Sequence, residues 1–322
     1  MVAVPPVVSI DIMKDLAIGI GITLTLFYLT LYSPIIGFLC IVCIPLPTLY
    51  YRAKLGRKNG LLVPILAVFA LMLTLDGWSL DVVYFLELTF IGFILYELFE
   101  RRLSVEKTLS YTCVAVLGAG ALFVLLYSVV SATGIPTLVA EYVRKNLEAT
   151  VALYRDIGMS EDGLRMIVDS LDRIQSVFIR ILPALLIVST LFLSWVNLLI
   201  ARPLLRSRNL NCPEFGRLNR WKAPEALVWF VIGSGLMVLI PVSALRFLGV
   251  NGLLVMMTIY FFQGIAIVAY WFEKKQFPRF LRVLIYSLIA LQQILALVVV
   301  CMGFFDMWLN FRRLESENRR SS

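Results

Sequence analysis

The sequence predicts an all-α fold: a polytopic transmembrane helical bundle of about nine spans, with eight as the alternative count, carrying an extracytoplasmic amphipathic helical hairpin. Three observations predict it. The 322 residues are 60% hydrophobic and only 16% charged, where a soluble domain is roughly 45–50% apolar and about 25% charged. Nine apolar stretches come near the roughly 20 residues that cross about 30 Å of hydrocarbon at 1.5 Å per residue. Basic residues gather in four short segments, with two apolar stretches between successive segments, as expected when short basic loops face the cytoplasm.

Residues 1–133 hold the first five spans. The first, 16–32, follows Asp11, Lys14 and Asp15 rather than a basic leader, and no small-x-small cleavage site comes after it. It therefore reads as a retained membrane helix with a cytoplasmic N-terminus. Only Ser33 and Pro34 separate it from the second, 35–51, which requires a very tight hairpin or one broken element. The basic segment of Arg52, Lys54, Arg57 and Lys58 leads to a short third stretch, 61–75, whose ends take in Gly60 and Asp76. An outer turn at 76–79 leads to the fourth, 80–99, with Asp76 and Asp81 as solvated turn and cap residues beside Gly77 and Trp78. Arg101, Arg102 and Lys107 precede the fifth, 109–131.

Residues 134–178 change character, with charges on a helical period. Pro136 suits a first turn, and Leu138, Val139, Val143, Leu147, Val151 and Tyr154 recur at three- and four-residue intervals. Gly158 ends that helix. Ser160 as N-cap, with Glu161 and Asp162 in the first turn, starts a second through Leu164, Ile167, Leu171, Ile174 and Phe178. The pair forms an outer hairpin whose apolar stripes must rest on the membrane, the bundle or another subunit.

Residues 179–305 carry the remaining spans at 179–201, 226–245, 252–272 and 283–305. Inner basic segments lie at 202–222 and at Lys274, Lys275, Arg279 and Arg282, and an outer turn lies at 249–251. The polar tail, 306–322, raises a conflict. Nine spans from an inside N-terminus leave it outside, yet it carries Arg312, Arg313, Arg319 and Arg320. Either Glu315 and Glu317 offset those charges, or the first hairpin or the last span does not cross as counted.

The chain has no histidine, which excludes the Ser/His/Asp triad, the HExxH zinc site and an imidazole base. No Walker sequence is present, so no P-loop ATPase is encoded. Cys40 and Cys43 have CxxC spacing but lie in an apolar span without a second pair, and read as packing. No catalytic residue, metal site or cofactor is expected. The net charge of +8 reads as an orientation signal on the lipid bilayer, not as nucleic-acid binding.

Ionisable groups inside spans are costly and mark candidate sites. Glu87 lies seven residues into its span, roughly 10 Å deep, with Tyr84 one turn before it and no Lys or Arg at comparable depth. It must be protonated, paired through water, or facing a polar cavity. Glu97 reads as an ordinary helix-end pair with Arg101. Mid-depth amides at Asn197, Gln263, Gln292 and Gln293 complete a neutral-to-acidic midplane suited to a neutral or cationic solute. Ala17 and Gly21 give a small-xxx-small pair. Arg220-Trp221-Lys222-Ala223-Pro224-Glu225 resembles a helix entry with Pro224 near N1. At the other end of the chain, Asp306, Asn310 and Arg313 share one face of a continuing helix anchored by Trp308.

Trp221 with Pro224, Gln263 with Gly264, and the Gly303-Phe-Phe-Asp306-Met-Trp308 stretch resemble, in order and spacing, the YybS-like family of uncharacterised bacterial inner-membrane proteins. The likeness runs over nearly the whole chain. It implies a bacterial inner-membrane location and no settled activity. More distantly, such proteins look like the solute-binding S-components of energy-coupling-factor transporters. In those, a small-xxx-small motif on the first helix docks the coupling module, and Ala17 with Gly21 matches it. S-components resemble six-helix proteins of about two hundred residues, so the longer chain departs from that pattern. The expected function is transport-related binding of a small solute through Glu87, Tyr84, Asn197, Gln263 and Gln292, with an ATPase or coupling module as partner. The alternative is a noncatalytic membrane scaffold or assembly factor that engages envelope proteins.

Overall fold

The computed structural model describes residues 10–75, 77, 79–212 and 215–312, and all regular structure among them is helical. Asp76, Trp78, Arg313 and the tail beyond lie outside the described residues. The chain divides into two compact units. The first holds residues up to 179 together with 189–214, and the second holds 180–188 and everything from 215.

Unit 1 contains α1 (Ile10–Tyr32), α2 (Pro34–Cys43), α3 (Pro45–Gly60), α4 (Leu62–Thr74), α5 (Leu80–Glu100), α6 (Val105–Val130), α7 (Ile135–Asp156) and most of α8 (Glu161–Ser207). The tight hairpin is real. Ser33 alone separates α1 from α2, and Gly37 lies so close to α1 that a Cβ there would meet the Thr30 carbonyl at 2.8 Å. Pro45 and Pro47 lack the N–H groups that would continue α2 into α3 without a break. Within α3, Gly56 takes φ +80°, a left-handed conformation that glycine adopts without steric cost. The chain turns there, among Lys54, Arg57 and Lys58, and Gly60 packs back on the Arg52 backbone. Ser79 and Ser104 cap α5 and α6 through their hydroxyls.

The expected pair of helices is present as α7 and the start of α8, the latter capped by Ser160. Gln175 donates to the Ala140 carbonyl at 2.9 Å, and Tyr142 donates to Asp81 at 3.3 Å, fixing α7 to the head of α5. Burial and the Asp81 carboxylate push the Tyr142 phenol up to about 12. No break divides hairpin from membrane segment at 178, because α8 runs unbroken for 47 residues.

Unit 2 contains residues 180–188 of α8, a single 3-10 turn at Leu218–Arg220, α9 (Leu227–Leu239), α10 (Ser243–Lys274), α11 (Arg279–Leu291) and α12 (Gln293–Leu309). The expected outer turn at 249–251 is corrected. Pro241 ends α9 instead, residues 249–251 lie inside α10, and Gly249 packs against the Ser234 carbonyl. Each of the nine apolar stretches is helical, but the count of crossings differs. Among the described residues six helical segments are long and apolar enough to span, with α2 and α3 counted together as one (Ile36–Gly60), or seven if the pair α11 and α12, bent by 101°, counts as one. The apolar helices α4 and α9 have 13 residues each, about 20 Å at 1.5 Å per residue.

Asn251 compensates for a proline inside α8. Pro183 within α8 removes one N–H and strains the turn before it. The Asn251 side chain enters the opened ladder, donating to the Arg180 carbonyl at 2.9 Å and accepting from the Ala184 N–H at 2.9 Å. That interruption is one of the physical causes of helix kinks, and here the inserted amide satisfies both backbone groups. Asn251→Leu is expected to lower thermal stability in detergent by about 1–3 kcal/mol for each backbone group left unpaired. Pro183→Ala in the same chain should recover most of the loss, because the helix can then close its own bond; no recovery would contradict the splint.

Candidate functional site

The most developed polar cluster lies in unit 2, around the end of α12. The expectation that Asp306, Asn310 and Arg313 share a continuing helix is corrected: α12 stops at Leu309, and Asn310 takes the left-handed conformation (φ 41°, ψ 56°) that ends helices. Asp306 caps the turn by accepting from the Phe311 N–H at 3.0 Å. Arg312 then folds back and donates to Asp306 at 2.7 Å, both side chains fully buried. Its other donors reach the carbonyls of Asn219 at 3.0 Å and Trp221 at 2.9 Å. Gln263 donates to Asp306 at 3.2 Å and accepts from the Ala223 N–H at 3.0 Å.

Three stretches singled out separately in the sequence thus meet in one network. Trp221 contributes a carbonyl, Gln263 an amide and Asp306 a carboxylate, and Arg312 joins them. Two glycines make the meeting possible. A Cβ on Gly264 would lie 2.0 Å from the Val299 carbonyl oxygen, and one on Gly303 would lie 2.0 Å from that of Tyr260. Pro224 is not at N1 as expected: α9 begins at Leu227, and Pro224 sits in the approach, its carbonyl accepting from Leu227. Trp308 is 56% exposed, as suits an interfacial anchor. Arg312 was visible in the sequence only as one of several tail charges, and no local pattern marks a residue that pairs by folding back.

The same contacts place Arg312. Arg312 binds Asn219, Asn219 binds Glu273 near the end of α10, and Arg282 at the start of α11 donates to the Phe272 and Phe277 carbonyls. The pair α11 and α12 leaves from the basic end of α10 and returns to the same region. Gln292 and Gln293 are exposed at the bend, and Gln292 is extended rather than helical.

In unit 1, Glu87 is half-buried on α5, and its carboxylate occupies the space beside Gly120 of α6, where a Cβ would clash with Oε1. Among the described residues it has no ion-pair or hydrogen-bond partner. Tyr84, one turn away, is 38% exposed. Asn197 is fully buried; its amide donates to the Val42 carbonyl at 3.0 Å and the Leu193 carbonyl at 2.8 Å, bracing the end of α2. Glu97 does not pair with Arg101. It binds the buried Arg52 at 2.8 Å, carried by α3 where that helix packs on α5, and Arg57 at 3.5 Å, just past the turn at Gly56. Ala17 and Gly21 are exposed, with nothing within 4 Å of a Cβ at Gly21. Glu87 and Asn197 belong to unit 1, Gln263 and Gln292 to unit 2. Among the described residues no group of three or more acidic or cysteine side chains is arranged to hold a metal ion.

A family model described as "Predicted membrane protein (DUF2232)" matches residues 21–307. The chain belongs to this family. As a DUF2232 member it is an integral, multi-pass membrane protein, and the matched region takes in Trp221, Gln263, Gly264 and Asp306. It is similar to "Uncharacterized protein YybS" of Bacillus subtilis (strain 168), 21% identical over 302 residues, which cover 92% of this chain and 96% of that protein. No solved structure matches the chain.

Proposed function

We propose that this DUF2232 protein has a transport-related role in the bacterial inner membrane, noncatalytically binding a small neutral or cationic solute at Glu87, with its N-terminus in the cytoplasm. One observation carries the reading: a carboxylate inside a span, seated on Gly120, with no ion-pair partner among the described residues. Intramembrane acidic groups without a partner mark ion or solute paths. The bent pair α11 and α12 and the short helices α4 and α9 support it, since interrupted helices recur at transporter binding sites. In an S-component-like arrangement, the exposed Ala17 and Gly21 strip of α1 is where a coupling module docks.

The purified full chain in nanodiscs, screened by thermal shift against amines, vitamins and metal ions, is expected to give at least one stabilising compound. A ligand at a hundred times its Kd adds about 2.7 kcal/mol. Glu87→Gln should keep the unliganded melting temperature and lose the shift. An undiminished shift in Glu87→Gln, or no shift from any compound, contradicts the reading. The scaffold alternative draws on apolar side chains of the outer hairpin that stay exposed, Ile157 at 66% and Met166 at 73%. It predicts that deleting the hairpin abolishes function while Glu87→Gln does not.

A further inference from the structure

We infer that unit 2 carries a phosphate-binding site in the cleft where the 215–223 segment meets the end of α10. This site is independent of Glu87 and of the solute reading. The cleft has a volume of about 280 Å³ and is lined by Arg217, Asn219, Arg220, Tyr270, Glu273 and Lys274. Among the described lining residues, Arg217 and Lys274 stand beside one carboxylate, Glu273. Arg217 at 3.6 Å and Asn219 already engage that carboxylate, so the Lys274 ammonium, which has no carboxylate partner among the described residues, gives the cleft its positive excess. The Lys274 ammonium rests on the ring faces of Tyr270 and Trp271, at 5.4 and 5.5 Å, and donates to the Tyr270 hydroxyl at 3.4 Å. Those rings orient it without neutralising its charge. A lining of guanidinium, ammonium and phenol groups suits an acceptor-rich tetrahedral anion, for which arginine is the preferred protein partner.

The cleft also sits at the boundary of the hydrocarbon. Beginning with Phe280, α11 exposes Phe280, Val283, Leu284, Leu288 and Leu291, an apolar stripe at helical spacing that faces lipid. Phosphate can therefore arrive on an anionic lipid headgroup or as a free solute, and basic pockets of this kind at helix ends hold lipid phosphates.

The test measures thermal shifts of the full chain in nanodiscs. Phosphatidylglycerol is titrated into phosphatidylcholine in one arm, and inorganic phosphate is added to pure phosphatidylcholine discs in the other. Stabilisation in the lipid arm alone assigns a headgroup site; stabilisation in the phosphate arm assigns a soluble ligand. In either case Arg217→Gln/Lys274→Gln should raise the half-saturating concentration roughly tenfold or more. Arg101→Gln/Arg102→Gln removes the same charge from the exposed end of α5 and should leave it unchanged. No stabilisation in either arm, or equal losses in the two double variants, overturns the inference, the latter by showing diffuse attraction to a basic face.

Discussion

Arg312→Ala is expected to cost roughly 3–5 kcal/mol of stability, among the largest effects of any single substitution in this chain. The reason is asymmetry. Arg312 and Asp306 are both fully buried and 2.7 Å apart, so truncating the cation strands a carboxylate in a region of low dielectric and unties the Asn219 and Trp221 carbonyls. Removing both charges together is milder, because an apolar pair has no desolvation penalty to offset. Asp306→Leu/Arg312→Met should therefore unfold above Arg312→Ala when melting is followed in detergent. A melting temperature for Arg312→Ala equal to that of the unsubstituted chain would mean that the guanidinium is solvated and the network does not form.

Gly264→Ala and Gly303→Ala are expected to be the next most damaging changes. In each the new methyl would stand 2.0 Å from a backbone oxygen of the opposing helix, and backbone cannot move aside as a flexible side chain can. The helices must separate, at a cost of about 1–3 kcal/mol or more, and their separation pulls Gln263 from Asp306. The glycines of α9 give a control of opposite sign. A Cβ on Gly233 or Gly235 meets nothing within 4 Å, so Gly233→Ala should leave stability unchanged or raise it by up to about 1 kcal/mol through helix propensity. Thermal melts of the three variants check this, and equal effects at Gly233 and Gly264 would refute the close crossing.

Hydropathy and charge made the helical segments legible, because span length and basic loops are local properties of the chain. Ser160 as a cap and the tight turn at Ser33 were legible for the same reason. What escaped was pairing at long range. Glu97 has an arginine four residues away, yet the packing of α3 on α5 supplies Arg52 and the turn at Gly56 supplies Arg57 instead. Asn251 looks like a turn residue beside two glycines, and its work becomes visible only when Pro183 is opposite it. Gln263 and Asp306 stood out as polar groups near apolar spans, but nothing local says that they bind each other rather than a ligand. In unit 2 both ends of the Gln263 amide are occupied within the protein, whereas in unit 1 the Glu87 carboxylate has no partner among the described residues. A sequence scan ranks the two alike because depth in a span is all it can see.

The most direct measurement concerns the two ends of the α11 and α12 pair. In a cysteine-free chain, one cysteine replaces Gln276, in the turn before α11, and in a second variant one is appended after Ser322. Both are treated with a membrane-impermeant maleimide in intact and in permeabilised cells. A pair that returns to the end of α10 from which it departs places the two thiols on one side, so they should be labelled under the same condition. Labelling of one thiol in intact cells and of the other only after permeabilisation would show that the pair crosses the membrane and that Arg312 does not fold back onto Asn219 and Trp221.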